Sequence, residues 1–190
     1  MLNIGLAGRR GSGKDTAAEY LARKYDYTRV GFADRVKDAA LALDPYVGLD
    51  HFGDLVRLKW IVQTRGWDEA KQDDEIRRLL QMVGDEAGRQ IHGPRTWIDQ
   101  ALAKIDAAPG PVVVSDVRYP NEIDELRRVG FIIVQIVRPA NDKQRSEMVD
   151  LHASESDLRA RCDGTIFNMG TIEDLYTQID HLLHTRKDAA

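Results

Sequence analysis

Gly8-Arg-Arg-Gly-Ser-Gly-Lys14-Asp-Thr16 is the segment of this 190-residue chain that most directly indicates its fold. It directly follows a short apolar run, residues 2–7, and opens a helix-like segment, residues 14–24. Glycines at 8, 11 and 13 permit backbone conformations in which successive N–H groups turn inward. A helix that begins near Gly13 adds its N-terminal N–H groups and the positive end of its dipole. The stretch therefore predicts a phosphate-binding loop between a strand and a helix.

The side chains of this loop predict how a nucleotide would be held. Lys14 would reach the β- and γ-phosphates as a point charge. Asp15 stands where a serine or threonine hydroxyl normally meets magnesium, so it either binds Mg2+, directly or through water, or only complements the helix dipole. The hydroxyl comes one position later, at Thr16, which we assign to an α-phosphate. The ATP-binding prediction comprises Arg10, Gly11, Ser12, Gly13, Lys14, Asp15 and Thr16, with Asp15 also a metal ligand.

Outward from the loop, short apolar runs alternate with helix-like segments. Runs that are apolar on both faces are typical of strands buried in a parallel sheet. Strands that alternate with helices indicate a sheet covered on both faces. The pattern predicts an α/β three-layer sandwich with about five parallel strands. The further strands are expected at residues 28–33, 112–115, 131–137 and 164–167, and the further helices at 121–129 and 172–183.

The interval 34–105 breaks this alternation. It is charged, helical in pattern and contains no convincing strand. We interpret it as a helical insert within a single domain that spans residues 1–190. The charged stretch at about 139–163 follows the fourth strand, where a lid that excludes water would be useful, although a solvated helix explains the same composition. It contains Arg145, His152, Ser154, Glu155, Arg159 and Arg161.

A second polar group ends the buried run Val112-Val-Val-Ser-Asp116-Val-Arg118. Ligands of open α/β sheets bind beyond the carboxyl ends of the strands, so Asp116 and Arg118 should face the phosphate loop. Asp116 could hold magnesium-bound water or orient a second substrate, the acceptor of a phosphoryl group from the nucleotide. Arg118 could bind a phosphate group. The alternative is a local ion pair that caps the next helix. Glu122, at the start of that helix, is a further candidate contact to the acceptor.

Transfer of a phosphoryl group from a nucleotide held in this loop would require cations beyond Lys14, because the charge of the transferred group must be neutralised. Lys37 lies just past the second predicted strand, Arg89 lies in the insert, and Arg138 ends the fourth strand and is assigned to the ATP side. A solvated surface role explains each of them equally well. Trp97 could stack on a base or pack in the core, and core packing is slightly favoured.

Composition restricts the class of partner. The chain has 27 basic and 31 acidic residues, a formal charge of −4, which argues against binding to long nucleic acid. Its one cysteine, Cys162, cannot form an internal disulfide, which favours a reducing compartment. No stretch approaches the roughly 20 apolar residues of a membrane span. We therefore expect a cytoplasmic protein with small-molecule substrates and no membrane partner.

Together these motifs resemble a known family. The loop with its unusual Lys-Asp-Thr, Ser115-Asp-Val-Arg-Tyr-Pro-Asn-Glu122, Leu80-Gln-Met-Val-Gly-Asp-Glu-Ala-Gly-Arg89 and His152-Ala-Ser-Glu155 are similar to the deoxynucleoside monophosphate kinases encoded by bacteriophages. The resemblance extends from residue 2 to about residue 183. It implies a nucleoside-monophosphate-kinase-like fold, ATP and Mg2+, deoxynucleoside monophosphates as acceptors, and a homodimer. It also implies that the helical insert, residues 34–105, carries part of the acceptor site.

The resemblance also assigns roles to residues. It implies catalytic roles for Lys14, Asp116 and Arg118, and a metal contact for Asp15 and Asp116. The implied substrate-binding residues are Lys37, Arg89, Trp97, Asp116, Arg118 and Glu122. Three alternatives stay open: a kinase of another small metabolite such as phosphomevalonate or dephospho-coenzyme A, a P-loop NTPase that drives a partner, and a nucleotide-binding scaffold without catalysis.

Overall fold

The computed structural model describes residues 2–49, 51–139 and 160–187. No helix within these ranges combines the length and the apolar content needed to cross a bilayer. In chain order the elements are β1 Asn3–Ala7, α1 Lys14–Tyr25, β2 Thr28–Val30, α2 Ala33–Leu43, β3 Tyr46–Leu49, β4 Leu55–Arg57, α3 Leu58–Ala70, α4 Asp74–Gln81, a π-helical segment Met82–Gln90, α5 Thr96–Asp106, β5 Val112–Val117, α6 Pro120–Arg128, β6 Phe131–Val137, β7 Gly164–Phe167 and α7 Ile172–Lys187.

The parallel sheet predicted from the apolar runs is confirmed. Five strands of the described chain form it in the order β2-β5-β1-β6-β7, and every neighbouring pair is parallel. The strand that precedes the phosphate loop, β1, is central and pairs with both β5 and β6. The carboxyl ends of β1, β5 and β6 therefore lie side by side, so residues that follow them meet at one edge.

One face of the sheet is covered by α1 and α7. Leu6, Ile136 and Ile166 of the strands are buried with Leu21 of α1 and Leu175 of α7. Burial of these apolar side chains supplies the main driving force that holds the two helices to the sheet.

A polar network also joins α1 to α7. Asp180 of α7 accepts hydrogen bonds from the hydroxyls of Tyr20 and Tyr25, each 2.8 Å from Oδ1, and from the ammonium of Lys24, 2.7 Å from Oδ2. The ring of Tyr20 stacks on that of Tyr176 at 3.9 Å between centroids. The helix that carries the phosphate loop is thus fastened at its far end.

The described chain divides into two compact units. The sheet unit comprises Met1–Gly31 and Lys104–Ala190, and the insert unit comprises Phe32–Ala103. Each bound of the insert unit differs by two residues from the predicted insert, 32 against 34 and 103 against 105. Within the insert unit, Leu58 and Ile76 are fully buried beside Ala40 and Val47, which gives this unit an apolar core of its own.

The prediction that the insert contains no strand was wrong. β3 and β4 form an antiparallel hairpin in which Leu49 pairs with Leu55. Both strands are short, and the side chains of Leu49 and Leu55 are 65% and 63% exposed. Sequence reasoning detects a half-buried strand by alternation of apolar and polar residues, and this hairpin has no such alternation. The guanidinium of Arg57 stacks on the Tyr46 ring at 4.5 Å, a contact that composition does not reveal.

Candidate active site

At two glycines of the loop between β1 and α1, the backbone lies directly against another segment of the chain. Gly8 has φ 138° and Gly13 has φ 104°, values that L side chains rarely adopt. A Cβ at Gly8 would collide with the carbonyl oxygen of Ile136, and one at Gly13 would lie 2.5 Å from the side-chain nitrogen of Asn168. These two positions therefore require glycine. The helix begins at Lys14, so its free N-terminal N–H groups are part of the loop.

Lys14 lies inside this loop rather than in solvent. Its side chain is buried, and its ammonium donates to the carbonyl oxygens of Gly8 at 2.7 Å and Arg9 at 2.6 Å. Burial lowers the pKa of Lys14, and the positive charge of Arg118 lowers it further, while Asp15 and Asp116 raise it. The ammonium is therefore a partly desolvated cation that an anion in the loop would stabilise.

Ser12 is the loop residue with an unsatisfied polar atom. Its residue is 3% exposed, and within the described part of the chain its hydroxyl oxygen has no hydrogen-bond partner. Buried polar atoms almost always have a partner, so an exception in a concave loop indicates a place where a ligand or water completes the bonding. The backbone carbonyl of Ser12, by contrast, is bound by Asn168 at 2.9 Å.

The remaining loop side chains predicted to bind ATP are more open. Asp15 is exposed, and its carboxylate lies 3.5 Å from the guanidinium of Arg29. Thr16 is half-buried and Arg10 is exposed. Asp15 stands in the first turn of α1, so both of its predicted roles, metal ligand and partner of the helix dipole, agree with its position.

Asp116 and Arg118 lie within electrostatic reach of Lys14. Both residues affect the pKa of Lys14, in opposite directions, although they are about a hundred residues away in the sequence. Asp116 is half-buried within β5, whereas Arg118 is exposed directly after that strand. The sheet edge thus brings together a cation in a phosphate loop, a carboxylate, and a second cation that is accessible from solvent.

Glu122 forms the N-terminal cap of α6. Its residue is 2% exposed, and Oε2 accepts from the backbone N–H groups of Arg118 at 2.7 Å and Tyr119 at 3.0 Å. A glutamate at the third helical position commonly caps a helix in this way. Here the cap also orients the backbone that carries Arg118. Direct contact between Glu122 and a substrate stays a prediction.

The insert unit contains three of the predicted substrate-binding residues. The ammonium of Lys37 lies 3.9 Å from the carboxylate of Asp34, and Arg89 is half-buried in the π-helical segment. Trp97 packs in a cluster with Val36 and Val83.

The surroundings of Trp97 are those of a core residue. It is 9% exposed, and its ring nitrogen donates to the carbonyl oxygen of Gly84 at 2.6 Å. The slightly favoured interpretation, core packing, describes this environment, whereas stacking on a base stays untested.

Two other predicted features lie at the boundary of what the structure describes. Arg138 directly follows β6 and is exposed. The predicted lid, residues 139–163, lies outside the described residues apart from 139 and 160–163. The guanidinium of Arg161, in that last part, is 3.2 Å from the carboxylate of Asp124 on α6.

Sequence reasoning missed Asn168 and Gln135. Asn168 follows β7 at the same carboxyl edge as the other site residues, so the rule that found Asp116 could also have found it. Gln135 interrupts the apolar run of β6 and is 3% exposed, and in the described chain its side-chain oxygen has no hydrogen-bond partner. A polar residue inside an otherwise apolar strand was the available signal.

Among residues 2–49, 51–139 and 160–187, no group of three or more His, Cys, Asp or Glu side chains could hold a metal ion by themselves. Mg2+ usually binds through one or two carboxylates together with substrate phosphates and water. Asp15 and Asp116 supply carboxylates of that kind.

Comparison with known proteins gives consistent results. A family model described as deoxynucleotide monophosphate kinase matches residues 59–179. A protein of Acanthamoeba polyphaga mimivirus assigned as such a kinase is 32% identical, over 94% of this chain and 94% of the viral protein. The deoxynucleoside-5′-monophosphate kinase of Escherichia phage T5 is 24% identical, over 83% of this chain and 85% of the phage protein. Shikimate kinase from Aquifex aeolicus covers both chains completely with a TM-score of 0.54 at 14% identity, a likeness of fold alone.

Proposed function

This chain belongs to the deoxynucleotide monophosphate kinase family, and we propose that it transfers the γ-phosphoryl group of ATP to a deoxynucleoside monophosphate. The product would be a deoxynucleoside diphosphate for DNA precursor synthesis. As a member of that family the chain is an ATP-dependent phosphotransferase.

One observation carries the proposal: β5, which contains Asp116 and leads to Arg118, pairs with β1, which leads to the loop that holds the buried Lys14. A phosphate loop alone would serve any nucleoside triphosphatase. The added carboxylate and the solvent-accessible guanidinium supply what a second, phosphorylated substrate needs, because arginine binds phosphate in a planar, bidentate manner.

The loop residues fit a polyphosphate chain. Gly8 and Gly13 leave no room for side chains, the Ser12 hydroxyl oxygen is buried without a partner among the described residues, and the ammonium of Lys14 is partly desolvated. We assign Arg10, Gly11, Thr16 and Arg138 to the same side of ATP. Mg2+ would be held by Asp15 and Asp116 together with phosphate oxygens, and when bound it neutralises charge on the β- and γ-phosphates.

The chemistry follows from positioning and charge. The loop amides and Lys14 hold the β- and γ-phosphates, and Arg118 orients the phosphate of the acceptor. An oxygen of that phosphate then bonds to the γ-phosphorus in line with the bond to the β–γ bridging oxygen, which breaks as ADP leaves. Fixed cations at this point stabilise the charge spread over the transferred group. Lys37 and Arg89 are assigned to binding of the acceptor. Glu122 holds the backbone that carries Arg118, and Trp97 supports the core of the insert unit, which carries Lys37 and Arg89.

A coupled ADP-release assay tests the function. The acceptors are dAMP, dGMP, dCMP and dTMP with their ribose counterparts, and dephospho-coenzyme A and phosphomevalonate represent other small acceptors. We expect turnover that requires a deoxynucleoside monophosphate and does not respond to added DNA. Turnover only with a different acceptor would reassign the substrate, and hydrolysis of ATP without any acceptor would indicate an NTPase instead.

We further propose that the chain forms a homodimer through the hairpin patch, defined as Leu49, Phe52 and Leu55. Leu49 and Leu55 are cross-strand partners, so their side chains share one face of the hairpin. The three side chains are 65%, 80% and 63% exposed. Exposed apolar clusters mark interaction sites, and two-fold dimers use the same patch on both copies.

Sedimentation velocity over a concentration series tests the homodimer. Phe52→Ser should give a monomer, whereas Val129→Ser, an exposed apolar residue on the sheet unit, should leave the dimer intact. An unmodified protein that stays monomeric at high concentration would contradict this assembly. We propose that the enzyme acts in the cytoplasm, where ATP and deoxynucleoside monophosphates are found.

A further inference from the structure

Asn168 lies directly after β7 and joins three segments of the sheet unit. Its backbone N–H donates to the carbonyl oxygen of Val137, the last residue of β6, at 2.8 Å. Its side-chain nitrogen donates to the carbonyl oxygen of Ser12 in the phosphate loop at 2.9 Å. The residue is 8% exposed, so little solvent can substitute for these bonds.

The amide of Asn168 approaches the loop backbone as closely as glycine allows. A Cβ at Gly13 would lie 2.5 Å from the Asn168 side-chain nitrogen, a distance that real Cβ atoms do not reach. Gly13 is also the residue that precedes the first turn of α1. The contact therefore acts on the peptide that connects the loop to its helix.

The hydrogen bond to the Ser12 carbonyl determines where the next N–H points. A trans peptide is planar, so the carbonyl of Ser12 and the N–H of Gly13 point in opposite directions. No cis peptide occurs in the described chain. With the carbonyl held toward Asn168, the N–H of Gly13 points to the opposite side of the loop. Without that bond the peptide could rotate and present a carbonyl oxygen, which repels phosphate.

We propose that Asn168 is a positioning residue for ATP, which keeps the Ser12–Gly13 peptide oriented so that its N–H faces the polyphosphate. The inference rests on the proposed function in one respect, that a polyphosphate occupies the loop. It concerns the binding of ATP, and the affinity for the acceptor is expected to stay unchanged.

Titration of the protein with Mg-ADP, in the absence of acceptor, tests this role. Asn168→Ala removes the donor, and we expect the Kd for Mg-ADP and the KM for ATP to rise about tenfold, since an oriented hydrogen bond to a buried carbonyl is lost. The KM for the deoxynucleoside monophosphate should not change. All measurements are made at a temperature at which each variant is fully folded.

Asn168→Asp is the second variant, because it preserves the shape of the side chain if the alanine variant does not fold. A carboxylate cannot donate to the Ser12 carbonyl, whereas a protonated carboxyl can. The affinity of this variant for Mg-ADP should therefore be weakest near pH 8 and should partly recover as the pH falls toward about 5, relative to the unmodified protein. A residue that only supports the fold would not produce this relative pH dependence.

Asn3→Ala is the matched control. The side-chain oxygen of Asn3 accepts from the backbone N–H of Val112 at 2.8 Å, so it also joins two segments of the sheet unit, but at the amino end of the strands. Asn3→Ala should reduce stability and leave the Kd for Mg-ADP unchanged. An equal loss of affinity in Asn3→Ala and Asn168→Ala would overturn the proposal, because it would reflect general destabilisation.

The outcomes separate this inference from the proposed function. Folded Asn168 variants that bind Mg-ADP like the unmodified protein would overturn the positioning role, even if deoxynucleoside monophosphates are phosphorylated. Weakened Mg-ADP binding in these variants would support the role, even if no deoxynucleoside monophosphate is phosphorylated, and only the substrate assignment would then fail. An unmodified protein that binds no adenine nucleotide would overturn both.

Discussion

Five polar or charged side chains are buried in the described part of the sheet unit, whereas none is buried in the described part of the insert unit. Exposed apolar side chains are distributed in the opposite way, because eight of the twelve large ones in the described chain belong to the insert unit. The five buried polar residues are Ser12, Lys14, Glu122, Gln135 and Asn168.

The carboxyl edge of the sheet unit is therefore preorganised by buried polar contacts, whereas the insert unit presents an adaptable apolar surface. Burying a polar group costs free energy unless it is hydrogen-bonded, so such groups persist where other contacts support them. Lys14, Glu122 and Asn168 each hold backbone groups at the carboxyl edge of the sheet. The insert unit exposes apolar side chains instead, which suits contacts with an acceptor or a second subunit.

The largest effect should come from Lys14→Ala. Loss of the loop ammonium removes charge stabilisation of the transferred group, and we expect kcat/KM to fall about a thousandfold. Steady-state kinetics with ATP and the best acceptor measure it. Arg128→Ala, which removes an exposed ion pair with Glu125 at the end of α6, should leave kcat/KM unchanged. If the kcat/KM of the Lys14→Ala enzyme stays within tenfold of that of the unmodified enzyme, the carboxyl edge of the sheet is not the site of the reaction.

A smaller effect, about a hundredfold in kcat/KM, is expected for Asp116→Asn and Arg118→Ala. The two changes should also shift the pH profile in opposite directions. Activity requires the Lys14 ammonium, so it is lost as pH rises through the pKa of Lys14, which burial and Arg118 lower and Asp116 raises. Arg118→Ala should therefore move the alkaline limb to higher pH, and Asp116→Asn to lower pH. Limbs that move in the same direction would contradict this coupling.

The insert unit should respond mainly in stability. Trp97→Phe removes the hydrogen bond to the Gly84 carbonyl, and we expect the free energy of unfolding to fall by about 1–2 kcal/mol. Gly88→Ala should cost about 1–3 kcal/mol, because a Cβ there would lie 2.5 Å from the Trp97 ring. Urea titrations measure both. In both variants the KM for ATP should not change and the KM for the acceptor should rise. A raised KM for ATP with an unchanged KM for the acceptor would contradict the division of roles between the two units.

The smallest effect concerns Tyr27 in the core of the sheet unit. Its hydroxyl donates to the carbonyl oxygen of Leu2 at 2.7 Å, and burial raises the pKa of Tyr27 to about 12. The folded state therefore holds this proton more tightly than the unfolded state. The stabilisation is complete below the unfolded pKa of about 10 and decreases by about 1 kcal/mol as pH rises to 11. The urea concentration at the midpoint of unfolding should fall as pH rises from 8 to 11 in the unmodified protein. It should fall less in Tyr27→Phe.

Much of the sheet unit could be predicted because its signals are local. The runs that became β1, β5 and β6 are apolar on both faces, and the loop motif joins a strand to a helix. The hairpin β3–β4 escaped prediction because its strands are short and expose their leucines. Asp116 was found because it ends a strongly apolar run, whereas Asn168 was missed because it follows the weaker apolar run of β7.

The phosphate loop, the parallel sheet and the set of candidate site residues can be read from the sequence, because hydrophobic periodicity and glycine placement act over a few residues. Which distant groups meet depends on the fold. It brought Asp116 and Arg118 within reach of Lys14, assigned Glu122 to a helix cap, and set Asn168 against the backbone of Gly13. The physical reason is that parallel strands distant in sequence end at one edge, where polar groups must find partners as they are buried.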